Sequence, residues 1–252
     1  MHAWSARLLL PALLLICSLD ASSDPLRVAT ASNFAPAMNA LARQFEAESN
    51  YRLITSFGST GKHYAQIVNG APFDLFFAAD SRRPELLETS GAALPGSRFT
   101  YAIGKLVLWS PEAGYVDSEG AVLRAAEFRH LALANPTLAP YGAAAAEVLE
   151  AMGLGQLLGP RLVRGENIGQ AFQFIRSGNA ELGFVAWSQL VATNQTRQGS
   201  HWDVPQSLYT PIEQQAVILK GSEGALAFVS FVRSPQGLKI IHEQGYDTPD
   251  VE

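Results

Sequence analysis

Apolar residues recur along this chain in two rhythms. Short runs rich in β-branched and aromatic residues predict strands at Leu26 to Ala29, Tyr51 to Ser56, Asp74 to Ala79, Phe99 to Trp109, His130 to Ala134, Leu182 to Ala186 and Gln214 to Leu219. The stretches between them carry a helical period. Phe34, Met38, Leu41, Ala42 and Phe45 share one helix face, and the alanine-rich run Gly142 to Met152 stops at Gly153, a helix C-terminal cap. Ser234-Pro235 reads as an N-cap with proline at the first helical position, and Gly245 closes that helix. Strands alternating with helices predict an α/β fold with largely parallel sheets. The longest strand run, Phe99 to Trp109, suits a passage from one lobe into a second, with the return near Thr210-Pro211. The expected division is 24–105 plus 212–252 for lobe 1 and 106–211 for lobe 2.

The N-terminus obeys neither rhythm. Arg7, the apolar run from Leu8 to Ile16 broken by Pro11, and the small residues Ala21-Ser22-Ser23 make a secretory signal peptide, 1–23. The run falls short of the roughly 20 residues needed to span a bilayer. The one cysteine, Cys17, lies inside this segment, and bulky Ile16 before it argues against lipoprotein acylation. An exported chain without a remaining thiol must draw its stability from a packed core and not from disulfides. The formal charge of −5 leaves no basic footprint for a nucleic-acid partner. If such a chain binds an anion, it must do so with a local set of donors.

Four polar turns stand between a strand and a helix. They are Thr30-Ala31-Ser32-Asn33, Ser56-Phe57-Gly58-Ser59-Thr60-Gly61, Asn135-Pro136-Thr137-Leu138-Ala139-Pro140-Tyr141-Gly142, and Gly165-Glu166-Asn167-Ile168-Gly169. A helix start presents unpaired N–H groups at the positive end of its dipole, so it suits an anion, and hydroxyl side chains add donors. Any one of these turns, taken alone, is better explained by ordinary capping and turn chemistry. Four of them in one α/β chain would suit an oxyanion if they meet at one spot.

Other chemistries lack their residues. Gly58 to His63 imitates a phosphate-binding P-loop, but Ser56 and His63 stand where glycine and Ser or Thr are needed, leaving Lys62 as a solvated helix residue. Gly58-Ser59-Thr60-Gly61 lacks the Gly-x-Ser-x-Gly spacing of a hydrolase. His63, His130, His201 and His242 show no paired metal-ligand spacing and read as packing or surface residues. Asp74 and Asp80 read as a strand end and a helix cap.

The chain resembles the periplasmic molybdate-binding proteins of ABC transporters from about Leu26 to Tyr246. The resemblance is carried by Ala31-Ser32-Asn33-Phe34, Gly58-Ser59-Thr60-Gly61, Tyr64 to Pro72, Asp74-Leu75-Phe76-Phe77, Tyr101 to Trp109, Asn135-Pro136, Ala139-Pro140-Tyr141-Gly142, Leu182 to Ala186 and Gln214 to Ile218. It implies a two-lobed periplasmic-binding-protein fold of type II, with hinged lobes each holding a mostly parallel sheet flanked by helices. It implies a non-enzymatic, monomeric protein in the periplasm. Such a protein takes molybdate or tungstate, needs no cofactor or cation ligand, and delivers the ion to a permease in the inner membrane. Sulfate or another tetrahedral oxyanion is the alternative ligand. The implied ligand positions are Ser32 and Thr60 (hydroxyl and backbone N–H), Asn33, and the backbone N–H groups of Tyr141 and Ile168, with Ser59 as a weaker candidate. Some relatives add a tyrosine hydroxyl just after the Gly-Phe-Val strand; Ala186 stands there in this chain.

Overall fold

The computed structural model describes residues 24–248, so the expected signal peptide and Cys17 lie outside the described residues. Among the described residues, ten strands form two five-stranded sheets. The first sheet has the order β2-β1-β3-β10-β4, built from β1 (Leu26–Ala31), β2 (Leu53–Gly58), β3 (Leu75–Phe77), β4 (Phe99–Gly104) and β10 (Ile212–Ile218). The second has the order β7-β6-β8-β5-β9, from β5 (Leu106–Ser110), β6 (Leu131–Ala134), β7 (Leu162–Gly165), β8 (Leu182–Ala186) and β9 (Ser200–Asp203). β1 pairs in parallel with β2 and β3, and β6 with β7 and β8, while β10 and β5 run against their neighbours. Each sheet is therefore mostly parallel with one reversed strand, and the two form a two-lobed α/β binding-protein fold.

The chain changes sheets at a single residue. Lys105 separates β4 from β5, so the expected long strand Phe99 to Trp109 is two strands in different lobes. The return runs from β9 into β10. Two strands escaped the sequence reading, β7 and β9. Leu162-Val163-Arg164-Gly165 and Ser200-His201-Trp202-Asp203 are four-residue strands at sheet edges, too short and too polar to show a period.

The helices are α1 (Ala35–Glu48), α2 (Thr60–Val68), α3 (Arg82–Thr89), α4 (Val122–Ala125), α5 (Pro140–Ala151), α6 (Gly155–Leu158), α7 (Ile168–Arg176), α8 (Trp187–Ala192), α9 (Glu223–Val232) and α10 (Pro235–Glu243). Their starts follow local chemistry. Ser59, Asn167, Ser222 and Ser234 each accept a hydrogen bond from the N–H three residues on, capping α2, α7, α9 and α10. Gly153 and Gly245 follow α5 and α10 with positive φ, the left-handed turn that ends a helix. In α7, Ile168, Ala171, Phe172 and Ile175 are buried on one face, the i, i+3, i+4, i+7 stripe that seats the helix on its sheet.

Packing fixes the first turn especially firmly. Phe34, just past Asn33, is fully buried and contacts Phe77, Tyr101 and Tyr246 with ring centroids 6.2, 4.6 and 5.3 Å away. Burying a phenylalanine contributes about 1.5–3 kcal/mol. The backbone at Ser32 and Asn33 is thereby tied to the core of lobe 1.

Candidate functional site

All six residues singled out from the sequence line one pocket. Ser32, Asn33, Ser59 and Thr60 come from lobe 1, Tyr141 and Ile168 from lobe 2, and Ala31, Gly58, Ala79, Ala139, Pro140 and Asn167 complete the wall. The pocket is a small cavity of ≈ 10 Å³, far below the roughly 300–1,000 Å³ of sites for drug-sized molecules, so the fitting occupant is a small ion. A wider hollow along the cleft edge carries Asp80, Arg82, Arg83, Glu147 and Glu213 and offers charges of both signs instead.

The local geometry turns donors inward. Thr60 and Ile168 are the first residues of α2 and α7, and Tyr141 is the first N–H-bearing residue of α5 because Pro140 has none. Their N–H groups have no acceptor within their own helices. The three hydroxyls are set by what they accept. Thr60 Oγ1 accepts from Ala79 N–H (3.0 Å), Ser32 Oγ from Gly169 N–H (3.3 Å) and Ser59 Oγ from Lys62 N–H (3.4 Å). A hydroxyl oxygen engaged by a backbone N–H keeps its own proton to donate.

Asn33 behaves differently. Its side-chain amide donates to Gln214 Oε1 (2.7 Å) and Tyr246 Oη (3.0 Å), away from the pocket, so its backbone is what remains for a ligand. Behind it lies a buried polar network. Tyr246 Oη–H donates to the Asn33 carbonyl (2.8 Å), Tyr101 Oη–H to the Ala78 carbonyl (3.0 Å), and Gln214 Nε2 to Tyr141 Oη (3.4 Å). A register shift between Gln214 and Gln215 in β10 accompanies this inward glutamine. Sequence reasoning missed the network. Its available signal was a pair of glutamines directly before the apolar run Ala216 to Leu219.

No carboxylate, lysine, arginine or histidine lines the pocket. Tyr141 is the one titratable residue there, and burial pushes its phenol well above the usual range, so it stays neutral. Among the described residues no group of three or more His, Cys, Asp or Glu is placed to hold a metal ion. Ala186 is buried at the start of α8 and brings no hydroxyl; Tyr246, from the C-terminal segment, buttresses Asn33. Lys62 is not simply solvated. Its ammonium lies 3.2 Å from Glu166 of the other lobe at the cleft edge. His63 is fully packed, and Asp80 caps α3 through Arg83 N–H (3.0 Å).

The profile of the bacterial extracellular solute-binding protein family matches residues 26–247. The molybdate-binding protein ModA of Azotobacter vinelandii is 50% identical over 92% of this chain and 93% of its own length. ModA of Rhodobacter capsulatus is 44% identical over 94% of each. The solved periplasmic molybdate-binding protein of Azotobacter vinelandii superposes with a TM-score of 0.86 at 46% identity, covering 89% of this chain and 100% of that one. With two lobes, a donor-lined cleft and full-length similarity, this chain belongs to the bacterial extracellular solute-binding protein family.

Proposed function

We propose that this protein is the substrate-binding component of a molybdate ABC importer, taking molybdate, and tungstate with it, into the pocket between its lobes. The reading rests on one observation: neutral donors at the starts of α2, α5 and α7 and in the Ser32-Asn33 turn converge on one small cavity without a charged side chain. The proposed donors are the hydroxyls of Ser32 and Thr60, the backbone N–H groups of Ser32, Asn33, Thr60, Tyr141 and Ile168, and the Ser59 hydroxyl in a minor role. Each hydrogen bond to a charged group is worth about 1.5–3 kcal/mol, and several together offset the desolvation of a dianion. Such a set disfavours hydrogen phosphate, whose proton needs an acceptor. Leaving that proton unmatched costs about 1–3 kcal/mol. Sulfate carries no proton, so only size separates it from molybdate. Preference for molybdate is supported by the similarity to the two ModA proteins. Residues 106–211 are proposed to move as one body against the rest, and delivery to an inner-membrane permease from the periplasm follows from the same reading.

A thermal-shift series with molybdate, tungstate, sulfate and phosphate tests this. Ligand at about 100 times its dissociation constant adds about 2.7 kcal/mol. For a chain this size that raises Tm by about 5–10 °C. Molybdate and tungstate should give that rise and phosphate none. Equal shifts from sulfate and molybdate would overturn the specificity.

A further inference from the structure

Two buried side-chain atoms among the described residues lack a hydrogen-bond partner, the Thr30 hydroxyl and His63 Nε2, and of the two only His63 can take up a charge. It lies on the first turn of α2, 2% exposed, directly behind the pocket wall. A methyl built on Gly58, which lines the pocket, would meet its Nε2 at 3.0 Å, so one residue of wall separates ring from cavity. Nδ1 faces Gln66 Oε1 at 3.1 Å and, against that acceptor, carries the ring's hydrogen. Nε2 has no hydrogen-bond partner. A buried nitrogen without a partner costs free energy that plain packing does not explain.

We propose that His63 is a proton-linked positioning residue of the oxyanion site: protonation of its Nε2 tightens the hold on a dianion, and the bound dianion draws that proton onto the ring. The proposal rests on the oxyanion reading of the pocket. The surroundings of the ring fit a charge that comes and goes. The backbone carbonyls of Thr30 in β1 and Ser56 in β2 favour the protonated form and would receive the new N–H, while desolvation, the largest influence, pushes the pKa below its usual value. Lys62 on the same helix is the charged group that bears on it, and it too disfavours protonation. Phe73 presents an aromatic edge, ring centroids 5.8 Å apart. The neighbouring carboxylate, Asp74, is committed to Arg27 N–H and Lys220. With no anion bound, burial therefore favours the neutral imidazole. An anion one wall-residue away counters both the desolvation and Lys62. Linkage is reciprocal, so whatever the anion adds to the ring's proton affinity, the proton adds to anion affinity.

The test is calorimetric titration of the protein with sodium molybdate from pH 5.5 to 8, for wild type and His63→Gln. Wild type should bind about five- to tenfold tighter at the acid end, the lower range of measured site-to-site couplings, with proton uptake seen as heats that vary with buffer ionisation enthalpy. His63→Gln should show a flatter profile and match wild type at pH 8. Both proteins meet the same ligand, so the difference between profiles isolates the ring. The His63 Cε1–H resonance of wild type provides a second reading that needs no variant, and its titration midpoint should rise when molybdate is bound. Binding with identical profiles in the two proteins, or an unmoved midpoint, overturns the role of His63 alone. Absence of molybdate binding by wild type at every pH overturns the site itself, and this role with it.

Discussion

A hydroxyl that accepts from a backbone N–H still has its proton to give. That state holds at Ser32 and Thr60, and it makes them donors before any ion arrives. On the proposed reading, replacing Ser32 by alanine removes one charge-assisted bond and should weaken molybdate binding about tenfold or more. The role assigned to Ile168 is a backbone role, since its side chain is buried in the core of lobe 2. Ile168→Val should change affinity little, and Ile168→Pro, which removes the N–H at the start of α7, should abolish tight binding. Proline is tolerated at a first helical position, so the variant should still fold, which a melting curve without ligand checks. Titration calorimetry on the three variants decides the assignment. Similar losses for the valine and proline variants would mean that the side chain matters and the N–H does not.

Among the elements, strand, hinge and helix meet at Gly104. A Cβ there would sit 2.1 Å from Tyr141 Oη, so the end of β4 and the first turn of α5 approach closely only because residue 104 has no side chain. Gly104→Ala should therefore displace Tyr141, whose N–H is one of the proposed donors, and overpacking of this kind costs about 1–3 kcal/mol. Molybdate affinity should fall at least tenfold while the separate lobes keep their helical and sheet content by circular dichroism. Unchanged affinity would place Tyr141 outside the ligand contacts. Much of this arrangement was legible in the chain. The Ser32-Asn33, Ser59-Thr60, Tyr141 and Ile168 turns announce themselves because caps, prolines and glycines are local signals, and all of them line the pocket. Leu182 to Ala186 coincides with β8 because a fully buried strand is a continuous apolar run. β7 and β9 were invisible because each is only four residues long and carries an exposed charged residue, too little chain for a period to show. The commitment of Asn33 to Gln214 and Tyr246 was invisible for another reason. Those partners lie 181 and 213 residues away in sequence, and nothing local encodes them.

At the scale of the whole molecule, the lobes are already in contact. Gly61 N–H donates to the Leu138 carbonyl (2.8 Å), Gly169 N–H to Ser32 Oγ (3.3 Å) and Arg83 Nη2 to the Thr137 carbonyl (3.0 Å), each bond crossing the cleft. This is the closed arrangement, and a ligand favours it only by binding it better than the open one. The crossing contacts differ in weight. Lys62 and Glu166 are half exposed, and such pairs contribute about 0–1 kcal/mol. Arg83 is more buried, pairs with Asp80, and reaches a carbonyl of the other lobe, so its removal leaves Asp80 without that partner and the cleft with one bond fewer across it. Arg83→Ala should therefore shift the equilibrium towards the open form, and Lys62→Ala should hardly move it. Small-angle scattering with and without molybdate measures this. Wild type and Lys62→Ala should both become more compact with ligand, whereas Arg83→Ala should need more molybdate to reach the same compactness and should release it faster. Since neither side chain lines the pocket, a slower closure in Arg83→Ala with unchanged release would place the tie in the path to closure and not in the closed state. Equal compactness of wild type with and without molybdate would remove closure from the account altogether.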